Sequence, residues 1–193
     1  MKPLSVEEIL SIDVYERDRC DLRKEATALR ELRRFVLGES CVVIFENRTT
    51  VQYQVQEMLR VERQVSPERI ALELSCFNML IPGKNELSAT LLLRIPEYRE
   101  VENVLQALSG ITRECISIAL GEEHIYATFD VDEDTLSCDI DVFYIRFPMT
   151  EEQVKRFMDP EVSVTLCANH EKCRAEVAID AEARRSLLED LRS

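Results

Sequence analysis

"CVVIFENRTTVQYQVQEMLRVER", residues 41–63, changes character halfway along. Cys41 to Phe45 are apolar without alternation, the pattern of a short strand buried on both faces. Beyond Thr49, Val51, Val55, Met58 and Leu59 recur on one face of a helix at about 100° per residue. A buried strand that runs directly into an amphipathic helix points to a mixed fold, and the flanking sequence decides how the layers are arranged.

Toward the N-terminus, Leu22, Ala26, Leu29, Leu32 and Val36 fit a helix over residues 14–36, with Arg and Glu filling the other positions and Gly38 as the stop. Helix starts are marked by Ser5-x-x-Glu8, Asp13-x-x-Glu16, Thr49-x-x-Gln52 and Thr150-x-x-Gln153, which resemble capping boxes. Ser66-Pro67 puts a cap before a proline at the first helical position, and "SPERIALELSCFNML" reads as a helix ended by Pro82-Gly83.

From Glu86 the pattern turns to strands. "LSATLLLRIP", "EYREVENVLQAL" and "CISIALGEEHIYATFD" run as strand, helix and hairpin, and "IDVFYIRFP", "TEEQVKRFM" and "VSVTLCANHEKCRAEVAID" repeat the order. Arg94-Ile95-Pro96 aligns with Arg146-Phe147-Pro148, and Asp130 with Asp180. The expected fold is a single α+β domain over residues 1–193, with a mainly helical portion (1–84, one strand) and a strand-rich portion (85–193). Its N-terminal helices would pack on one largely antiparallel sheet of about seven strands, arranged as two βαββ pseudo-repeats.

Composition narrows the function. The 193 residues carry a net charge of −13, of which residues 1–64 contribute −1 and residues 65–193 contribute −12. An acidic chain repels a phosphate backbone, so nucleic-acid partners are not expected, and no window approaches the ~20 apolar residues that cross a bilayer. The N-terminus has no signal-peptide pattern, and seven scattered cysteines do not form a disulfide framework, so the expected location is the cytoplasm, with thiols acting as small core residues.

The helix of the opening stretch is the main candidate for a site. On the helical wheel Glu62 falls within the apolar face, where an ionised carboxylate needs a partner. Gln52, Gln56 and Arg63 flank that face, Arg60 lies beyond, and Glu46, Asn47 and Arg48 end the preceding strand. Together with Glu57 these residues form an expected pocket for a partner protein or a small anionic ligand, with Arg48, Arg60 and Arg63 as donors. The bland alternative is ion pairing along and between helices.

Other motifs are weaker. Cys167-x-x-His170-x-x-Cys173 offers two thiols and an imidazole, yet a closed zinc site needs a fourth ligand, which Cys115, Cys138 or His124 supplies only if the fold brings one close. Cross-strand cysteines beside a turn, without metal, are the favoured reading. "DVDEDTLSCDID" has calcium-loop spacing but Thr135 where glycine is required, and reads as a solvated acidic loop. Glycine-rich phosphate loops, G-x-S-x-G and Glu-x-x-His are absent from the sequence, so no cofactor is expected.

"VVIFENRTTVQYQVQEMLRVER", "LIPGKNELSATLLLRIP" and "SLLEDLR" together resemble an uncharacterised bacterial family, domain of unknown function 3501, over nearly the whole chain. The resemblance implies no activity, because none is assigned to the family, and it implies a His in the 167–173 turn without requiring both cysteines. Members tend to be encoded near rubrerythrin-like and iron-sulfur oxidoreductase proteins, so the resemblance implies a redox or iron-sulfur protein as partner. The expected function is that of a non-catalytic accessory or binding protein, and the alternative is an enzyme or metal-dependent protein using the same cluster or the Cys/His hairpin.

Overall fold

The computed structural model describes residues 1–39, 41–93, 115–129, 142–170 and 173–192. Strand β1 (Arg34–Leu37) and β2 (Cys41–Glu46) form a hairpin; β2 pairs with β3 (Glu86–Leu93), which pairs with β7 (Val142–Pro148), and β6 (Thr128–Phe129) closes the sheet in the order β1-β2-β3-β7-β6. The remaining strands, β4 (Ile116–Leu120), β5 (Glu123–Tyr126), β8 (Val164–His170) and β9 (Cys173–Ala178), make a second sheet in the order β5-β4-β8-β9. Every pairing is antiparallel.

The strands therefore divide between two sheets where the sequence suggests one. The reason lies in how the two similar units combine. Their first strands, β3 and β7, pair with each other, and so do the first strands of their hairpins, β4 and β8. Each unit thus contributes its first strand to the first sheet and a hairpin to the second, and the first unit adds β6 at the edge of the first sheet. The expected helix at residues 97–108, the Arg94-Ile95-Pro96 segment and the acidic loop of residues 130–141 lie outside the described residues.

Five α-helices accompany the sheets among the described residues: α1 (Ile12–Leu32), α2 (Arg48–Glu62), α3 (Pro67–Phe77), α4 (Glu151–Met158) and α5 (Ala181–Leu191). Ser66 caps α3 ahead of Pro67, and Thr150 and Gln153 bond reciprocally at the start of α4, as their spacing predicts. At α2 the box is shifted by two residues. Asn47 is the cap: its side chain accepts from the Thr50 amide at 3.0 Å, while the Thr50 hydroxyl accepts from the Asn47 amide at 2.9 Å. Asp180 caps α5 by accepting from the amides of Glu182 and Ala183.

Helix α1 ends at Leu32, four residues before the predicted end, because Phe35 and Leu37 are needed inside the first sheet. Gly38 is no helix stop: its φ of +61° turns the β1–β2 hairpin, and a Cβ there would lie 3.7 Å from that of Ala175.

The main core joins the inner faces of both sheets, through Phe45, Ala89, Ile145 and Phe147 on one side and Ile116, Ile118 and Leu166 on the other, with Phe157 of α4 and Leu187 of α5 packed among them. A smaller core gathers Leu4, Val51, Val55, Leu59, Leu74 and Leu80 around α2 and α3. Both unit-spanning hairpins thus turn one face to the main core and leave the other available.

Candidate functional site

The polar residues of α2 and the strand before it fall into three groups. The first is buried. Glu46, 1% exposed, accepts from the hydroxyls of Thr50 (2.5 Å) and Thr90 (2.9 Å) and from the Gln54 amide (2.9 Å). Beside it Arg33, fully buried at the end of α1, donates to the carbonyls of Phe45, Glu46 and Ser186, to the Ser186 hydroxyl and to the Asp190 carboxylate. Burial pushes the Asp190 carboxyl above its ordinary value while Arg33 pulls it down. This hub ties α1, β2 and α5 together, and its donors point at protein acceptors.

The second group fastens the N-terminal segment. Arg48 donates to Glu8 at 2.5 Å and to the Lys2 carbonyl at 3.1 Å, Gln52 donates to the Glu8 carbonyl, and Gln56 bonds both the amide and the carbonyl of Leu10. The third joins α1 to α2. Glu57 accepts a two-pronged contact from Arg19 (2.7 and 2.9 Å), the Tyr15 hydroxyl (2.7 Å) and Arg60 (3.2 Å). Arg19 in particular holds the Glu57 carboxyl down to about 2, and burial together with Glu57 pushes the Tyr15 phenol up. Arg60 also reaches Glu16 at 3.5 Å.

Glu62 is exposed, and so is Arg63, which closes α2 in the left-handed region at φ 53°. The expectation of a carboxylate pressed into the apolar face is corrected on this point. Glu62 does continue the Val51–Val55–Leu59 stripe, but it sits in the last turn, beyond the small core that covers the stripe. Met58, expected on the same face, is likewise exposed. Gln56 is the polar side chain buried on this helix face, satisfied by Leu10. Of the nine candidate residues, then, the structure brings Glu46 and Asn47 into the buried hub, Arg48, Gln52 and Gln56 to the N-terminal segment, and Glu57 and Arg60 to α1.

The Cys/His hairpin is split by the sheet. Cys167 pairs with Glu176, and His170 with Cys173, so Cys167 and Cys173 stand an odd number of positions apart in register and face opposite sides. Cys173 points inward, where its thiol donates to the Leu37 carbonyl at 3.5 Å. Cys167 points to the outer side, which removes the three-residue chelate.

On that outer side lies a trough of 570 Å³. One row of neighbouring residues crosses all four strands of the second sheet: Tyr126 on β5, Ser117 on β4, Cys167 on β8 and Glu176 on β9. Four strands at about 4.8 Å spacing make the row roughly 14 Å wide. Ser117 (4% exposed) and Cys167 (6%) form the floor. His124 and Tyr126, with rings stacked at 5.9 Å, form one wall, and Arg174 and Glu176 form the other. The Ser117 hydroxyl lies 2.9 Å from His124 Nδ1, and Ser117 is the register partner of Cys167.

Among the described residues the side chains of Arg174 and Glu176 make no hydrogen bond or ion pair with protein groups. Unpaired charges are ordinary on a surface; here they rim a cavity floored by buried polar atoms, as ligand sites are built. Catalysis by these groups lacks two requirements. Burial, with the Glu176 carboxylate nearby, pushes the Cys167 thiol up, away from the thiolate that attacks. Ser117 is mid-strand between two partners, so the flanking amides serve the ladder and offer no oxyanion donors.

Alternation along β4, β5, β8 and β9 was visible in the sequence, but the trough's residues come together only through the register. No helix of the described residues is long and apolar enough to cross a membrane.

In a search of solved structures, the chain is similar to a protein of unknown function from Burkholderia pseudomallei K96243, with a TM-score of 0.88 and 23% sequence identity over 98% of this chain and 100% of that one. At that identity the likeness establishes the shared fold. No curated protein matches. The family model described as "Protein of unknown function (DUF3501)" matches residues 3–191, and the chain belongs to that family.

Proposed function

We propose that this protein is a binding protein for a small zwitterionic molecule of amino-acid type, seated in the trough on the outer face of the second sheet. One observation carries the reading: a guanidinium and a carboxylate without protein partners among the described residues, two residues apart on β9, edge a cavity whose floor is buried and polar. Arg174 supplies the two-pronged donor that a ligand carboxylate fits, and Glu176 supplies the acceptor for an ammonium group. His124 Nε2 and the Tyr126 hydroxyl face the ligand from the opposite wall, and a trough of 570 Å³ is within the range of small-molecule sites.

The reading keeps a small anionic group as the ligand but moves its contact from α2 to β9. On α2 the guanidiniums of Arg48 and Arg60 are already engaged by Glu8, Glu57 and Glu16. An incoming carboxylate would have to displace those acids, whereas Arg174 meets no acid among the described residues.

Thermal-shift titration with a panel of free amino acids, matched monocarboxylates and matched amines tests the proposal. At a concentration 100 times Kd a ligand specific for the native state adds about 2.7 kcal/mol, a shift of several degrees. At least one amino acid is expected to raise the melting temperature, the matched amine and acid to do so less, and Arg174→Ala to abolish the response while melting where the parent does. A response that survives in Arg174→Ala, or no response to any amino acid, overturns it.

A further inference from the structure

The two sheets meet at a pair of buried thiols. Cys41 opens β2 and is the register partner of Leu37 in the first sheet. Cys173 opens β9 in the second sheet, and its thiol reaches the Leu37 carbonyl at 3.5 Å. Beside them the β1–β2 turn packs so tightly on β9 that a Cβ at Gly38 would stand 3.7 Å from that of Ala175. Cys41 and Cys173 are both buried, side by side in the main core cluster. From this juxtaposition we infer that Cys41 and Cys173 form a reversible redox pair, which closes a disulfide between the two sheets on exposure to a hydroperoxide.

The shared position beside Leu37 favours the chemistry. The neighbouring Cys41 thiol draws Cys173 down while Cys41 itself is pushed up, so Cys173 ionises first. Cys173 is therefore the attacking sulfur. Its lone pair forms an S–O bond to one peroxide oxygen as the O–O bond breaks, and the departing hydroxide takes a proton and leaves as water. The Cys41 sulfur then attacks the resulting sulfenic acid: the S–S bond forms, the S–O bond breaks and a second water leaves with the Cys41 proton. Two thiols lose two electrons in total, and one hydroperoxide is reduced. Burial restricts the oxidant to small molecules, so hydrogen peroxide is the appropriate probe. Cys20 and Cys76 are exposed and make neither contact.

The bond would close a loop of more than one hundred residues between positions 41 and 173. Loops of that length gain the most from cross-linking, so oxidation is expected to raise the melting temperature on the order of 10 °C. This inference is independent of what occupies the trough.

The experiment uses the full chain carrying Cys20→Ser and Cys76→Ser, fully reduced and then treated with hydrogen peroxide. The expected results are an intact mass lower by two hydrogens, a cross-linked Cys41–Cys173 peptide after digestion, and a melting temperature that rises and returns with dithiothreitol. Cys41→Ala and Cys173→Ala should each lose the cross-link and the rise. Should an alanine variant fail to fold, the peptide map of the parent decides alone. Recovery of both thiols in alkylatable form after unfolding, pairing of either with another cysteine, or an undiminished rise in a folded alanine variant would each overturn the inference.

Discussion

The α1–α2 interface and the outer face of the second sheet both bring charged and hydrogen-bonding side chains together, yet they differ in where the bonds end. At the interface Glu57 is surrounded by Arg19, Tyr15 and Arg60, and Arg48 by Glu8 and a carbonyl, so each of these side chains meets a protein acceptor, with only Arg60 Nε among the described residues of this interface left without one. On the sheet, Arg174 and Glu176 point over a floor formed by Ser117 and Cys167 and have only solvent to meet among the described residues. Density of charge in the sequence marks the first region; only an account of partners marks the second. A region whose groups are satisfied internally should respond to mutation through stability, and one whose groups are not should respond through binding.

The largest effect is expected where charge is most deeply buried. Arg33→Ala leaves Asp190, 1% exposed, without its counter-charge, and should lower stability by about 3–5 kcal/mol, read as the urea midpoint at neutral pH. Replacing both, as Arg33→Met with Asp190→Leu, should restore most of it, because the cost lies in the stranded charge. A loss below about 1 kcal/mol for the single change would place the stability of this hub elsewhere.

Glu57 tests the same region through pH. Its carboxyl titrates near 2 in the folded chain against a usual 4.5, so it stabilises the fold above pH 4.5, and that contribution is lost as pH falls toward 2. With its side chain 22% exposed, solvent screens part of the effect, and Glu57→Gln should cost about 1–2 kcal/mol at pH 7. The variant and the parent should converge in stability at pH 2. An equal deficit at pH 7 and pH 2 would mean that packing, not charge, holds α1 to α2. Smaller again is Arg48→Ala, expected to cost less than about 1 kcal/mol because the pair is partly exposed, but to speed amide exchange across residues 2–10.

These contrasts also separate what was legible in the sequence from what was not. Local chemistry was readable: the doubly buried strand at 41–46, the Ser66-Pro67 start, the Thr150–Gln153 box and the strand-then-hairpin order of the two units all follow from neighbours in sequence. Strand β1 was hidden, because four residues give too little alternation to outweigh the helical spacing that runs through Leu32 and Val36. The wheel placed Glu62 on the correct face but could not show that the covering core ends a turn earlier. Arg33 and Asp190 are 157 positions apart, and the trough gathers side chains from four strands, so neither pattern exists before the register is set.

The smallest effect on stability completes the comparison. Arg174→Ala and Glu176→Ala remove no side-chain hydrogen bond or ion pair among the described residues and are expected to shift stability by less than about 0.5 kcal/mol each. For Glu176→Ala, losing a negative neighbour should also bring the Cys167 thiol closer to its ordinary value, which thiol-reactivity measurements across neutral to alkaline pH would read as faster alkylation at a given pH. The two outcomes bear on different points: unchanged melting establishes that these side chains do not hold the sheet, and faster alkylation establishes that Glu176 and Cys167 face one another across the trough in solution. Should Glu176→Ala destabilise the chain as strongly as Glu57→Gln, the carboxylate would have a structural partner, and the distinction between a satisfied interface and an open rim would fail at its second term.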